Sequence, residues 1–279
     1  MTRAVTFNGN TGLHNSTLGQ LSDLSTDLSC GVLSYWYRSI TNQSVVTPIV
    51  LAFSKSANGH CLRHMHFMRS RGSSTYVMLQ LQQPTAPPGS GEITSFLGVN
   101  PIPLDGQWHH FMIAWNVNTV PYVREAALDG VTMPTVLGTP PPSSTLAFVP
   151  FTIDYSIADD WEIGDEDAGG IYLGDLAEMY LQLYASPYIG LGVGVGGQGI
   201  QIGGKGFIDM GPVGGPPRNP PVAMEIGPTG ADALGIVGLA PQIYCSGDSN
   251  FFWRNVTGVP PRLFSIVGSL TDAATDPFP

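Results

Sequence analysis

The feature that most constrains this chain is a rhythm of short runs in which apolar and polar residues alternate. Each run is closed within a few residues by Gly, Pro, Asp or Ser. A period of two marks an extended strand with one face buried, and the closing residues supply the turns. Such runs cover Ala4 to Phe7, Gly31 to Arg38, Ile49 to Phe53, Cys61 to Met68, Tyr76 to Leu81, Trp108 to Trp115 and Val123 to Leu128. Further runs follow at Phe148 to Ile153, Trp161 to Gly164, Gly170 to Leu173 and Leu176 to Tyr184. Hardly any segment carries a helical period. The pattern predicts an all-β, two-sheet antiparallel sandwich whose core is the inward residues of both sheets, and it excludes a parallel βαβ fold.

The 35 Gly and 24 Pro of this 279-residue chain do not signal disorder, because aliphatic and aromatic runs recur between them. Composition shifts at Gly190: glycine alternates with Leu, Val and Ile up to Gly206, and Gly211 to Pro221 is rich in Pro and Gly. The expected division is a sandwich over residues 1–188 and a Gly/Pro-rich extension over 189–279. Within the extension Ala223 to Ile226, Gln242 to Cys245 and Leu263 to Val267 still have strand character, so it is expected to be ordered by contact, with the sandwich or with a neighbouring subunit. Phe251, Phe252, Trp253 and Phe264 are its candidate assembly residues, a dense aromatic group worth roughly 1.5–3 kcal/mol per well-buried side chain. No sustained apolar heptad occurs, so no coiled-coil stalk is expected.

A formal charge of −10 leaves no basic stripe to neutralise phosphates, which argues against a nucleic-acid partner. The N-terminal residues have no apolar signal core, and no run approaches the roughly 18 apolar residues of a membrane helix. The expectation is a soluble protein made in a cytosol, without membrane insertion. Cys30, Cys61 and Cys245 are odd in number and far apart, which predicts buried reduced thiols and offers no zinc-ligand spacing.

Leu104-Asp105-Gly106-Gln107-Trp108-His109-His110, running into a strand that ends at Trp115, resembles the DGxWHH motif of concanavalin A-like (laminin G-like) jelly rolls. Asp105-Gly106 makes a tight turn, and Phe111, Ile113 and Trp115 share one strand face. Leu128-Asp129-Gly130-Val131 resembles the hairpin that follows in that family, Asp-Gly being a strong turn signal. Glu162-Ile163-Gly164 with Gly170 to Tyr184 resembles its final strand pair, and Ala4 to Gly9 its opening strand. The likeness covers residues 4 to 186, about two thirds of the chain. Ile243 to Asp248 and Gly268 to Ala273 are similar to the endings of phage and prophage structural proteins that carry such a domain.

Some relatives of that sandwich are glucanases with carboxylates at alternate strand positions, ExDxE. Here the middle position is Gly164 of Glu162-Ile163-Gly164-Asp165-Glu166, so no catalytic residue and no enzymatic activity is expected. Asp165 and Asp167, in an acidic turn, are the candidate ligands for Ca²⁺, a hard cation that takes oxygen donors; no other cofactor is expected. His60, His64 and His66 share a strand face and are expected to be exposed on an edge strand, with a shared metal as the alternative. His109 and His110 alternate faces. Tyr122, Tyr155 and Trp161 are the candidate glycan-stacking aromatics, since a ring can pack on a sugar while polar neighbours hydrogen-bond it.

The resemblance implies a phage virion structural protein, as capsid decoration, head fibre or tail component. Its expected partners are other virion proteins, further copies of itself and host surface polysaccharide. The alternative is a carbohydrate-binding adhesin or lectin module.

Overall fold

A computed structural model of the chain describes residues 4–15, 28–39, 49–54, 61–68, 75–85, 90–117, 123–129, 131–137, 152–153, 160–164, 172–184, 192–193, 200–202, 205–206, 208–209, 222–223, 243–255 and 262–277. Among them no helix occurs. In chain order the strands begin with β1 (Ala4–Asn8), β2 (Gly12–Asn15), β3 (Cys30–Arg38), β4 (Ile49–Ser54), β5 (Cys61–Met68), β6 (Thr75–Thr85) and β7 (Ser90–Gly98). They continue with β8 (His109–Asn116), β9 (Val123–Leu128), β10 (Val131–Met133), β11 (Thr135–Leu137), β12 (Asp160–Ile163) and β13 (Leu173–Tyr184). The later, shorter strands are β14 (Gly192–Val193), β15 (Ile200–Ile202), β16 (Lys205–Gly206), β17 (Ile208–Asp209), β18 (Val222–Ala223), β19 (Ile243–Cys245), β20 (Arg254–Asn255), β21 (Arg262–Leu263), β22 (Ser265–Val267) and β23 (Thr271–Asp272).

Two eight-stranded antiparallel sheets hold the core, as the alternation predicts. Sheet A has the order β10-β9-β8-β3-β13-β1-β23, with β19 also on β13, and sheet B the order β11-β7-β6-β5-β4-β12-β2-β22. The runs Gly170 to Leu173 and Leu176 to Tyr184 meet in one strand, β13, whose register shifts between Ala177 and Tyr180. Glu178 sits at that bulge with φ 47°. The shift lets two short strands share one side of β13: β1 pairs with Leu173 to Ala177 and β19 with Met179 to Leu181. Strands β2, β7, β10 and β11 lie outside the expected set, being short or framed by Gly and Ser that blur the period. Of the run Phe148 to Ile153, residues 152–153 are described and contribute an isolated bridge from Ile153 to Leu28.

The expected division at 188/189 falls between β13 and β14. Beyond it, β22 pairs with β2 at the edge of sheet B and β23 with β1 at the edge of sheet A. Ile243, Cys245, Phe252 and Phe264 share one buried cluster with Val5, Tyr35 and Trp115. Packing there is tight: a Cβ on Gly31 would lie 2.2 Å from the Trp115 ring, so only glycine fits opposite that indole.

The two sheets differ on their outer sides. On β3, Leu33, Tyr35 and Tyr37 face the core, yet Ser34 and Trp36 on the opposite side are buried as well. On β8 the same holds for His110 and Met112. Trp36 packs with Ala4, Ala177 and Ala273, with Trp108 against the group, so the end of the chain covers part of sheet A; β15 also contacts β9. On β6 of sheet B, buried Thr75, Val77, Leu79 and Leu81 alternate with partly exposed Tyr76, Met78, Gln80 and Gln82.

Candidate functional site

The strand-face histidines do not lie on an exposed edge. β5 is an interior strand of sheet B, between β4 and β6, and His64 and His66 alternate toward the core, where both are fully buried. His60 lies outside the described residues. The hydroxyl of Tyr35, from the facing sheet, lies 2.6 Å from His64 Nε2 and 2.8 Å from His66 Nε2. A phenol has one proton, so it donates to one imidazole and accepts from the other. Nδ1 of both rings has no hydrogen-bond partner. Tyr35 therefore donates to Nε2 of one ring and accepts the Nε2–H of the other, whose Nδ1 then carries no proton. Burial holds both imidazoles neutral: His64 is pushed well below its ordinary value, helped by neighbouring His66, and His66 is lowered to about 3. Among the described residues no group of three His, Cys, Asp or Glu could hold a metal.

The DGxWHH stretch is an anchor. Asp105 Oδ1 accepts the Gln107 N–H at 2.9 Å, and Gly106 takes φ 78°, which closes the turn. Trp108 Nε1 donates to Thr275 Oγ1 at 3.0 Å, and the Arg38 guanidinium lies 5.6 Å from its ring centre. Arg38 also donates to Asp175, at 2.6 Å from Nε. His109 is held between Asp129 Oδ2 at 2.7 Å and Asp105 Oδ1 at 3.0 Å. Burial pulls its pKa down, but the bonds and charge of Asp129 and Asp105 outweigh this and raise it. With both ring nitrogens committed to carboxylates, His109 is a poor base for any substrate. On the other side of β8, His110 Nε2 meets Ser34 Oγ at 2.8 Å, and burial lowers its pKa to about 4.

Trp161, expected to stack on sugar, is instead a core residue, 1% exposed: on β12 it alternates inward with Ile163. Tyr122 and Tyr155 lie outside the described residues, as do the calcium candidates Asp165 and Asp167. Gly164 has φ 79°, and a Cβ there would lie 2.3 Å from the Phe7 ring, so no carboxylate can complete the acidic triad at that position. Phe252 and Phe264 are spent on the core, Trp253 packs against it, and Phe251 is 49% exposed. The Cys245 thiol is free and buried, and burial pushes its pKa up.

Among the described residues, the outward side chains of β6 in sheet B stay partly exposed. Backbone register places Ser95, Gln80, Arg63, Ala52, Glu162 and His14 side by side across β7, β6, β5, β4, β12 and β2. Gln80 lies between inward Leu79 and Leu81, and Glu162 between inward Trp161 and Ile163, so both point away from the core. Glu162 is buried, with Oε1 3.9 Å from His14 Nδ1. At about 4.8 Å per strand, Gln80 and Glu162 are about 14 Å apart. Gln80 does not stand out in the sequence, and Glu162 does so only as the first carboxylate of the broken ExDxE pattern, because a cross-strand row has no sequence spacing of its own.

No protein-family model matches the sequence, and no curated protein matches it. Solved structures do. A Bacteroides ovatus protein whose name proposes carbohydrate binding is similar over 99% of this chain, at 10% identity and a TM-score of 0.48. The chain spans 61% of that protein's length. The CBM40 module of a Ruminococcus gnavus IT-sialidase, bound to α2,6 sialyllactose, is similar over 66% of this chain and 90% of its own, at 12% identity and a TM-score of 0.38. A type C botulinum neurotoxin structure, whose cell entry depends on two ganglioside molecules, is similar over 63% of this chain and 40% of its own, at 9% identity and a TM-score of 0.33.

Proposed function

We propose that this chain is a non-catalytic carbohydrate-binding module that takes a glycan on the outer side of sheet B. The observation that carries it is the contrast along β6: a central strand keeps Tyr76, Met78, Gln80 and Gln82 partly exposed, while sheet A has Ser34, Trp36, His110 and Met112 buried on its outer side. Along this strand an aromatic ring and, about 13 Å further on, two amides supply a stacking surface and paired donors and acceptors for a sugar. The absence of catalysis is supported by Gly164, which Phe7 forces to remain glycine, and by the double commitment of His109. Glycan-array screening followed by calorimetric titration tests the proposal. A ligand should be found, and Tyr76→Ala and Gln80→Ala should each weaken it at least tenfold. An array without ligands, or affinity untouched by both changes, overturns it.

A second proposal, a place on a phage particle among other virion proteins and further copies of this chain, is favoured by the exposed Phe251, Ile266 and Val267 in the C-terminal part. A host polysaccharide would then be the glycan. Mass spectrometry of purified particles should detect the chain in stoichiometric amount; particles without it would rule this out.

A further inference from the structure

We infer that the Tyr35 hydroxyl with His64 and His66 forms an acid-sensitive fastener between the two sheets, which releases cooperatively when either imidazole is protonated. The geometry carries this. Tyr35 comes from β3 in sheet A and both histidines from β5 in sheet B, so this three-residue hub joins facing layers through the middle of the core. Its hydrogen bonds balance only when both rings are neutral. A proton added to the ring that accepts from Tyr35 turns its Nε2 into a donor, so two N–H groups converge on one phenol oxygen and the Tyr35 proton loses its acceptor. A proton added to the other ring lands on Nδ1, which has no partner in either histidine, and leaves a bare charge between the sheets.

The surroundings offer no compensation. From β3 the hub meets Tyr37, whose ring lies 5.0 Å from that of His66. From β8 it meets Phe111, stacked on His64 at 5.1 Å, and ahead of β13 it meets Tyr172, 5.6 Å from His66. From β6 it meets the Met78 backbone. The acids in the vicinity act on the outer tyrosines: Asp175 on Tyr172, and Asp129 and Asp105 on Tyr37. No carboxylate therefore faces either imidazole among the described residues that pack on them. Burial holds the folded-state pKa of His66 near 3, below the roughly 6.5 of an unfolded histidine. The unfolded chain thus binds more protons in that interval, and stability falls as pH drops from about 6.5 toward 3. His109 behaves in the opposite way, whereas buried His110, lowered to about 4, adds to the same acid response and is common to the wild type and the variant compared below. The inference is independent of any glycan.

The test uses the full chain and its His64→Gln/His66→Gln double variant, in which the two amides offer Tyr35 one acceptor and one donor without titrating. Unfolding is followed by tryptophan fluorescence in denaturant at a series of pH values. Wild-type stability should fall between pH 6.5 and 4 with a slope that includes up to two protons from this pair. The double variant should lose that part of the slope and unfold at lower pH. An unchanged slope in a folded double variant overturns the inference. If the variant does not fold, nitrogen NMR of the wild-type imidazoles decides. Neutral tautomers that persist until the fold itself is lost support the fastener, and titration near 6.5 within an intact fold refutes it.

Discussion

Sheets A and B close over one core and use their second faces in opposite ways. In sheet A the outward Ser34 and Trp36 of β3 and His110 and Met112 of β8 are buried like the inward residues, so the middle of the sheet is covered on both sides. In sheet B, β6 keeps the one-in, one-out pattern of an antiparallel sheet with a solvated face. The difference shows that strand alternation marks two faces without marking which is open. Ser34 and His110 look like surface residues by pattern, yet they bond to each other in the interior.

The sharpest way to break this contrast is to truncate an aromatic on each outer face. Trp36→Ala should cost about 3–5 kcal/mol, as for a core residue, and Tyr76→Ala less than about 1 kcal/mol, both measured by urea unfolding. Equal losses would erase the distinction between the sheets. A smaller effect is expected where the chain passes from one sheet to the other. Gly268 joins β22 of sheet B to β23 of sheet A with φ 80°, and a Cβ there would lie 2.0 Å from the Asn10 carbonyl oxygen. Gly268→Ala should lower stability by about 1–3 kcal/mol and speed hydrogen exchange in β1 and β2; protection equal to wild type would show that the C-terminal strands do not fasten the edges.

The smallest effect belongs to His109. Its pKa is raised in the fold, so its contribution is fully present below about pH 6.5 and is lost as pH rises through the folded value. The pairs are partly solvated, with Asp105 54% and Asp129 34% exposed, which limits the contribution to under about 1 kcal/mol. His109→Gln should lower the melting temperature slightly at pH 6 and leave it unchanged at pH 9. A larger deficit at pH 9 than at pH 6 would contradict the clamp.

Much of the fold is legible in the chain. The runs Gly31 to Arg38, Cys61 to Met68 and Trp108 to Trp115 are strands of the core, and Asp105-Gly106 turns as its residue types require. The candidate site is hardly legible. Trp161 is aromatic and flanked by Asp and Glu, which suggests exposure, but its strand lies between β4 and β2 with that face turned inward. Gln80 and Glu162 are 82 positions apart in the chain and share a row only through the pairing of four strands.

Period-two alternation, turn residues and the lack of helical patterning are local, because φ and ψ preferences and side-chain direction act within a few residues. They suffice to determine an antiparallel β sandwich. Which face of each strand is buried is a property of partners. The covering of sheet A by Ala273 and Trp108, the closure of both sheet edges by β22 and β23, and the meeting of Tyr35 with His64 and His66 all join residues far apart in sequence. Contacts of that kind depend on the free energy of the whole packed core, so tertiary structure alone decided that the histidines are interior and that β6 of sheet B keeps its outward side chains partly exposed.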